Sequence, residues 1–468
     1  MIKAGAETNT RVFTPQKIVK EMLDALPPEV WNSKTTFLDP AVKSGVYLVE
    51  IYNRLMETPE LIKDFPDEQD RAIHIYKNQL FGIAIDNFCC LMTQRNLYGH
   101  IGGESNIRLI DGYMDLVKNK DSRFYTEAVK KEFNNMKFDV IIGNPPYQEM
   151  TGGGRNENGA TPVYDKFISK AQKISDRYIS MIIPAKWFTG GRGLNAFREE
   201  MLTCNKITYM VDYPNSTDVF EDIDLAGGVC YFLMDVKHNG DCNFTSIING
   251  SKNTKRRKLL EDGCDIFIRS NEAVEIYKKV SMKTKLKFDS LMHVAGAFKI
   301  DSYVDSYVNP HNENMVYMYD YSNAGYINRN EVCENTELLS KYKVFISKAY
   351  GERGNGPFFI TGKPFLGEPN TCCSISYLTI GGYASKNICE NIINYIKTRF
   401  FRFLVGIKKN TQNGNLGVYE LVPLQDFTNQ SDIDWSQSIS DIDKQLYKKY
   451  NLTDEEIDYI EKTIKPMT

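Results

Sequence analysis

The stretch Phe138-Asp-Val-Ile-Ile-Gly-Asn-Pro-Pro-Tyr147 decides how the chain is read. A short, nearly continuous apolar run closed by glycine and proline predicts a strand buried on both faces, as in parallel sheets. Pro145 and Pro146 have no backbone donor and a fixed φ, so the strand ends and the peptide carbonyls point in set directions. Asn144 adds a side-chain acceptor and Tyr147 a flat face. Together these suit an exocyclic amino group on a planar ring, with two acceptors for its N–H bonds and one aromatic ring to stack on. Such an amine is a poor nucleophile because its lone pair is delocalised. Accepting both hydrogens returns electron density to nitrogen, so positioning and electrostatics suffice without a covalent enzyme intermediate. Proton loss can follow transfer, and no dedicated general base is required.

Upstream, Phe37-Leu-Asp-Pro-Ala-Val-Lys-Ser-Gly45 reads as a strand ending at Asp39-Pro40, then a small-residue turn that lets a ligand approach the backbone. It is neither GxGxxG nor GK[ST], which excludes nicotinamide and P-loop nucleotide readings. Helical patterns over 46–56 and 87–98 alternate with strands at 79–85 and 107–110. Further strands are expected at 178–183 and 228–234. Thr14-Pro15 reads as the cap and first turn of another helix. This alternation predicts an α/β chain with a parallel, doubly wound sheet, whose ligands sit at the carboxyl ends of the strands. Asp39, Asp86, Asp111 and Asn144 all follow strands and should converge on that rim.

At 468 residues the chain is too long for one ordinary core. With 42 % hydrophobic and 25 % charged residues it is neither disordered nor fibrous. No run approaches the roughly 18 apolar residues of a membrane span. The first residues carry no apolar signal segment, so the expected location is cytoplasmic. The 10 cysteines and 5 histidines lack metal-ligand spacing, so no metal site is expected. A net charge of −3 argues against general stickiness for nucleic acid. Residues 241–430 are net positive and the remainder net negative, which leaves room for a specific contact. The glycine-rich stretch 151–159 reads as a loop that is mobile or orders on substrate. The basic run Lys255-Arg-Arg-Lys258 reads as a solvated turn or a phosphate contact. Thr453-Asp-Glu-Glu456 is a capping box that opens a C-terminal helix.

The order of Thr14-Pro15, Phe37–Gly45, Asp111 and Asn144–Tyr147 resembles the adenine-N6 DNA methyltransferases of restriction-modification systems, in the γ-type order of type IIG-like enzymes. Val219-Phe220 through Phe232 resembles their segment beside the flipped base. Asp434-Trp435 and Asp443 through Glu461 resemble their tail. The resemblance implies a Rossmann-like methyltransferase domain over 1–240, a mixed α+β target recognition domain over 241–430 and a helical tail over 431–468. The implied cofactor is S-adenosylmethionine. Thr14, with Pro15, and Asp39 would hold its methionine part, while Pro40, Ala41 and Gly45 shape the turn. Asp111 would accept from the cofactor's adenine amino group. Asn144 and the carbonyl of Pro145, with Pro146 fixing the turn, would grip the target N6. Tyr147 and Phe220 would stack on the base, and double-stranded DNA would be the partner. Val42 and Lys43 stand where the family commonly has Cys and Gly. Ala84 stands where it has an acid for the ribose; Asp86 is the expected substitute, and a Lys43 side chain near the cofactor carboxylate could also compensate. The sequence carries no nuclease signature, so it reads as a modification enzyme, either paired with a separate restriction endonuclease or solitary. Competing readings are an RNA base or protein glutamine as acceptor, and an inactive DNA-binding subunit that kept the fold.

Overall fold

The computed structural model describes residues 12–467 except 100–104, 135, 151–159, 192, 222, 224, 226, 249, 263, 301–303, 353–355, 410 and 411. The glycine-rich stretch 151–159 and the first eleven residues thus lie outside the described residues. The chain divides into two compact units, Met1–Arg269 and Ser270–Thr468.

The first unit contains β1 (Phe37–Val42), β2 (Leu80–Ala84), β3 (Ile107–Arg108), β4 (Phe138–Gly143), a small hairpin of β5 (Gln148–Met150) and β6 (Ala160–Pro162), then β7 (Ser175–Pro184), β8 (Ile207–Tyr213), β9 (Val229–Asp235), β10 (Cys242–Ile248) and β11 (Ser251–Arg257). Nine of these form one sheet in the order β11-β10-β8-β9-β7-β4-β1-β2-β3. From β7 to β3 the strands run parallel, and their apolar runs are buried on both faces. One face carries Leu38, Phe138 and Ile141, and the other Phe37, Val140 and Ile142. The helices Val46–Met56 and Asn87–Tyr98 follow β1 and β2 over the expected residues.

The sheet is mixed, which corrects the expectation of a parallel one. β9 is antiparallel to both β7 and β8. No α-helix occupies the described part of the β8–β9 connection, and a parallel crossover normally needs one. β10 and β11 extend the same sheet, so the expected domain boundary at 240 falls inside it. The basic run lies at the end of the edge strand β11 rather than in a turn. Arg257 is buried against Phe244 and Phe267, while Lys258 pairs with Asp262. An edge strand bearing charge resists pairing with another chain. A bidentate Arg269–Asp212 pair, its carboxylate fully buried, ties the end of this unit to β8.

β1 does not stop at Asp39-Pro40 but runs on to Val42, with an irregularity between Asp39 and Val42 in its pairing with β2. Proline lacks a ladder donor, and such an irregularity is where a strand accommodates it. The other expected departure concerns Thr14. The helix Gln16–Asp24 is capped at Pro15 without a side-chain bond, and the Thr14 hydroxyl is engaged elsewhere.

The second unit holds β12 (Met292–His293), β13 (Met315–Tyr319), β14 (Gly325–Asn328), β15 (Tyr342–Ser347), β16 (Phe365–Gly367), β17 (Thr371–Cys373) and β18 (Tyr377–Tyr383). They form a four-stranded sheet, β12-β18-β15-β16, and a three-stranded one, β14-β13-β17. Phe288, Tyr395, Phe401, Phe427 and Trp435 make an aromatic cluster beneath its helices. Asp443 accepts from the amides of Arg399 and Phe400, so the tail caps the helix Arg399–Lys408 from a distance. Thr453 and Glu456 form the expected capping box.

Register between β1 and β4 is pinned at their amino ends. The Asp139 carboxylate accepts from the Thr36 amide and hydroxyl, each at 2.9 Å, and the Asp139 amide donates to the Thr36 hydroxyl. We predict that Asp139→Ala lowers the unfolding free energy by about 1–3 kcal/mol, the range for hydrogen bonds to a charged acceptor. Urea denaturation measures it, and an unchanged midpoint would show that the register is held elsewhere.

Candidate active site

The chain leaves β1 toward β2 and β3 on one side, then returns to β4 on the other. The carboxyl ends of β1 and β4 therefore flank the point where strand order reverses, the place where open α/β sheets bind ligands. Asp39 sits toward the end of β1, and Asn144 follows β4 directly. A pocket opens there, lined among others by Thr14, Asp39, Ala41, Lys43, Gly45 and Asn144. Four of the expected cofactor residues and the expected catalytic asparagine thus share one cavity.

Asn144 is 3 % exposed. Its amide nitrogen donates to the Val12 carbonyl and to the Thr14 hydroxyl, both at 3.1 Å. The Tyr47 hydroxyl also donates to Thr14, at 3.3 Å. These acceptors settle which end of the amide is nitrogen. Oδ1 is left buried with no hydrogen-bond partner among the described residues. A buried acceptor left unpaired costs about 1–3 kcal/mol, so its persistence needs an explanation.

Asp39 is buried, and its Oδ1 accepts from the Ala41 amide at 2.9 Å. Burial pushes its carboxyl up to about 7, against the pull of that amide and of Lys43. Lys43 is buried as well, and burial brings its ammonium down to about 8 although Asp39 favours the charged form. In both cases desolvation exceeds the mutual attraction. The packing leaves no spare room. A Cβ on Gly143 would lie 2.6 Å from Asp39 Oδ1. Gly45, at φ +77°, starts the helix Val46–Met56 in the left-handed region, where a Cβ would also strike Thr93.

The remaining expected residues lie outside this pocket's lining. Asp86, half-buried, accepts from the Cys89 amide at 2.8 Å and caps the helix Asn87–Tyr98. Asp111 is exposed. Two residues on, the Tyr113 hydroxyl donates to the Pro40 carbonyl at 2.8 Å and holds the turn after Asp39 from behind. Pro15 caps the first helix. Pro145, Pro146 and Tyr147 are buried, and Tyr147 shares one apolar cluster with Phe220, each 4 % exposed. The Tyr147 hydroxyl approaches Asn144 without making a hydrogen bond, and burial holds its pKa well above the ordinary value. It therefore stays a neutral phenol and offers no base.

Sequence reading missed a row of exposed apolar side chains on the rim. Phe13 is 48 % exposed, Phe88 56 % and Leu109 45 %. Each stands one or two residues from Thr14, Asp86 or Asp111. The available signal was a large apolar residue beside a rim polar group, where a solvated loop would carry none. Lys43 was legible as a departure from a pattern and as a side chain near the cofactor carboxylate; its burial was not.

Gly143→Ala tests how tightly the two strand ends approach. The new methyl should displace the Asp39 carboxylate and cost about 1–3 kcal/mol, as overpacking does. A urea midpoint equal to that of the parent would show that the carboxylate has room to move.

Comparison with known proteins agrees with this geometry. Residues 78–220 match the family model of the Eco57I restriction-modification methylase. An uncharacterized adenine-specific methylase of Mycoplasma pneumoniae is 29 % identical over 347 residues, 60 % of this chain and 81 % of that one. A tRNA (guanine(6)-N2)-methyltransferase of Methanocaldococcus jannaschii is 31 % identical over 117 residues, 23 % of this chain and 29 % of that one. Among solved structures, the DrdV–DNA complex shares the fold with a TM-score of 0.50 at 12 % identity, covering 94 % of this chain. The matched part is 58 % of the DrdV chain, so this chain spans little more than half of that protein. By these likenesses residues 78–220 resemble a restriction-modification methylase and the chain resembles an adenine-specific methylase.

Proposed function

We propose that the protein is a site-specific DNA methyltransferase that moves a methyl group from S-adenosylmethionine to N6 of an adenine in double-stranded DNA. One observation carries this reading: Asn144 Oδ1 is a buried acceptor with no partner among the described residues, its amide held from behind by Val12 and Thr14. An acceptor fixed in that way and left unpaired suits an incoming N–H group. With the Pro145 carbonyl as second acceptor, both hydrogens of an aromatic amine are engaged and its nitrogen gains electron density.

The donor set fits the cofactor. Asp39 offers a carboxylate to an ammonium group and Thr14 a hydroxyl, and both line the same pocket. Asp86 and Asp111 stand along the rim for the ribose and adenine, beside the exposed Phe88 and Leu109. When bound, the cofactor supplies a methyl group made electrophilic by its sulfonium. No residue need act as base, since the amine sheds its proton after transfer. Tyr147 and Phe220 supply ring faces for the base, and both must uncover a face to do so, since each is buried. An adenine inside a stacked duplex presents no path to N6, so the base must be turned out. Reading of the surrounding sequence falls to the second unit, with a separate endonuclease as possible companion in a restriction-modification system. The tRNA methyltransferase likeness covers 23 % of this chain and supports an RNA amine as second reading.

The test is to express the chain in a methylation-deficient host and quantify methylated nucleosides in its DNA and RNA by mass spectrometry. N6-methyladenine in DNA at one recurrent sequence is expected. Methylation confined to RNA would replace the first reading with the second. Asn144→Ala should retain S-adenosylmethionine binding within a few fold by calorimetry while methyladenine falls at least a hundredfold, roughly the loss seen when one oriented hydrogen-bonding group is removed from an active site. Full activity in that variant would overturn the assignment.

The raised Asp39 pKa gives a pH dependence. The free site binds a proton with a midpoint at about 7, so below it the carboxyl is neutral and cannot pair with the ligand ammonium. Affinity for S-adenosylmethionine should fall up to about tenfold per pH unit below 7. Asp39→Asn should bind weakly and lose that limb. Equal affinity at pH 5.5 and 7.5 in the parent would remove Asp39 from the ammonium contact.

A further inference from the structure

We infer that Lys43 is a ligand-binding residue that receives the carboxylate of the cofactor's methionine moiety, so that Asp39 and Lys43 form a matched pair of opposite charges for a zwitterion. This rests on reading the pocket as an S-adenosylmethionine site, and it adds a residue and a chemical selectivity to that reading.

The argument is one of unsatisfied capacity. Lys43 is 6 % exposed and lines the same pocket as Thr14, Asp39 and Asn144. A lysine ammonium has three donors. Among the described residues a single hydrogen bond is formed, to the Val12 carbonyl at 3.0 Å, and Asp39 attracts the ammonium without a hydrogen bond to it. A buried cation normally has a close counter-charge or is replaced by an apolar residue. A cation with two donors to spare, on the wall of a cavity that also holds a buried acid, suits a ligand bearing both an ammonium and a carboxylate. The Val12 carbonyl supports the assignment. It accepts from Lys43 and from Asn144 alike, so the proposed carboxylate contact and the catalytic amide hang on one backbone atom.

A purely structural role is the competing explanation, with Lys43 serving only to anchor Val12. Ligand chemistry separates the two. Calorimetry with the full chain would compare S-adenosylmethionine with its decarboxylated form, S-adenosyl-3-methylthiopropylamine, on the parent and on Lys43→Met. The parent should prefer the carboxylate-bearing ligand by roughly 30-fold, as expected for one charged, hydrogen-bonded contact. Lys43→Met should lose most of that preference while binding the decarboxylated ligand nearly as the parent does. Equal weakening toward both ligands would overturn the inference in favour of a structural role. A parent without preference would overturn it whether or not the variant folds. A parent that binds neither ligand would sink the cofactor reading itself, a result distinguishable from the other two.

Discussion

The two hydrogen bonds from the Asn144 amide nitrogen to Val12 and Thr14 fix which atom of that buried amide is left unpaired among the described residues. An asparagine side chain can turn either end toward a substrate, and only the oxygen can accept from an amine. Engaging the nitrogen removes that ambiguity. It also explains why the N-terminal segment belongs to the site although it is more than 120 residues away in sequence. Val12 and Thr14 bring nothing reactive themselves. They orient a group that would otherwise rotate, and Tyr47, from the helix after β1, steadies Thr14 in turn.

That orientation is useful only if the ends of β1 and β4 stay in register. Phe37 lies beside Val140 and Leu38 beside Ile141, while the Thr36–Asp139 ring fixes the far end of the pair. The carboxyl ends then meet with Asp39 lying where a side chain on Gly143 would have been. A glycine just before the asparagine is thus a packing requirement of the acid on the neighbouring strand. The Tyr113–Pro40 bond closes the arrangement from the side of β3. Fold and site are one set of constraints here, because strand order brings together two polar groups that the chain separates by 105 positions.

Much of this was legible in the sequence, and the boundary of what was legible has a physical meaning. The strands on either side of the switch point are short apolar runs with punctuation, and the helices after β1 and β2 carry their own periodicity. Local pattern suffices for these. The end of β1 was misplaced because proline normally stops a strand, whereas pairing with β2 carried this one on through an irregularity. Thr14 was misread because its neighbours make it a good cap, and nothing local reveals that its hydroxyl bonds to a residue 130 positions away. β8 was missed altogether, although Ile207–Tyr213 lies between Asn205 at positive φ and Pro214. Its direction, and that of β9, depends on what fills the connection between them. The two small sheets of the second unit have short strands whose pairing is entirely non-local. Exposure was illegible for a related reason: Phe88 and Leu109 resemble core residues until the rim they stand on is known.

The site concentrates what a stable protein avoids. Among the described residues Asn144 Oδ1 and the Tyr147 hydroxyl are buried without partners, while Asp39 and Lys43 are buried charges held toward neutrality. Each disfavours the folded state by the desolvation it leaves uncompensated. Selection for stability alone would replace them with apolar residues of similar shape, as the sheet does two residues earlier at Ile141 and Ile142. A ligand that bonds to these groups recovers their lost hydrogen bonds and binds the folded state alone, so binding and stability become linked. The balance also works in reverse. A site already satisfied by its own side chains would be more stable when empty, and it would have less to gain from an amine, an ammonium or a carboxylate. Placing the unsatisfied groups at the switch point, on or just past the ends of two rigid strands, keeps them poised without letting them collapse onto one another.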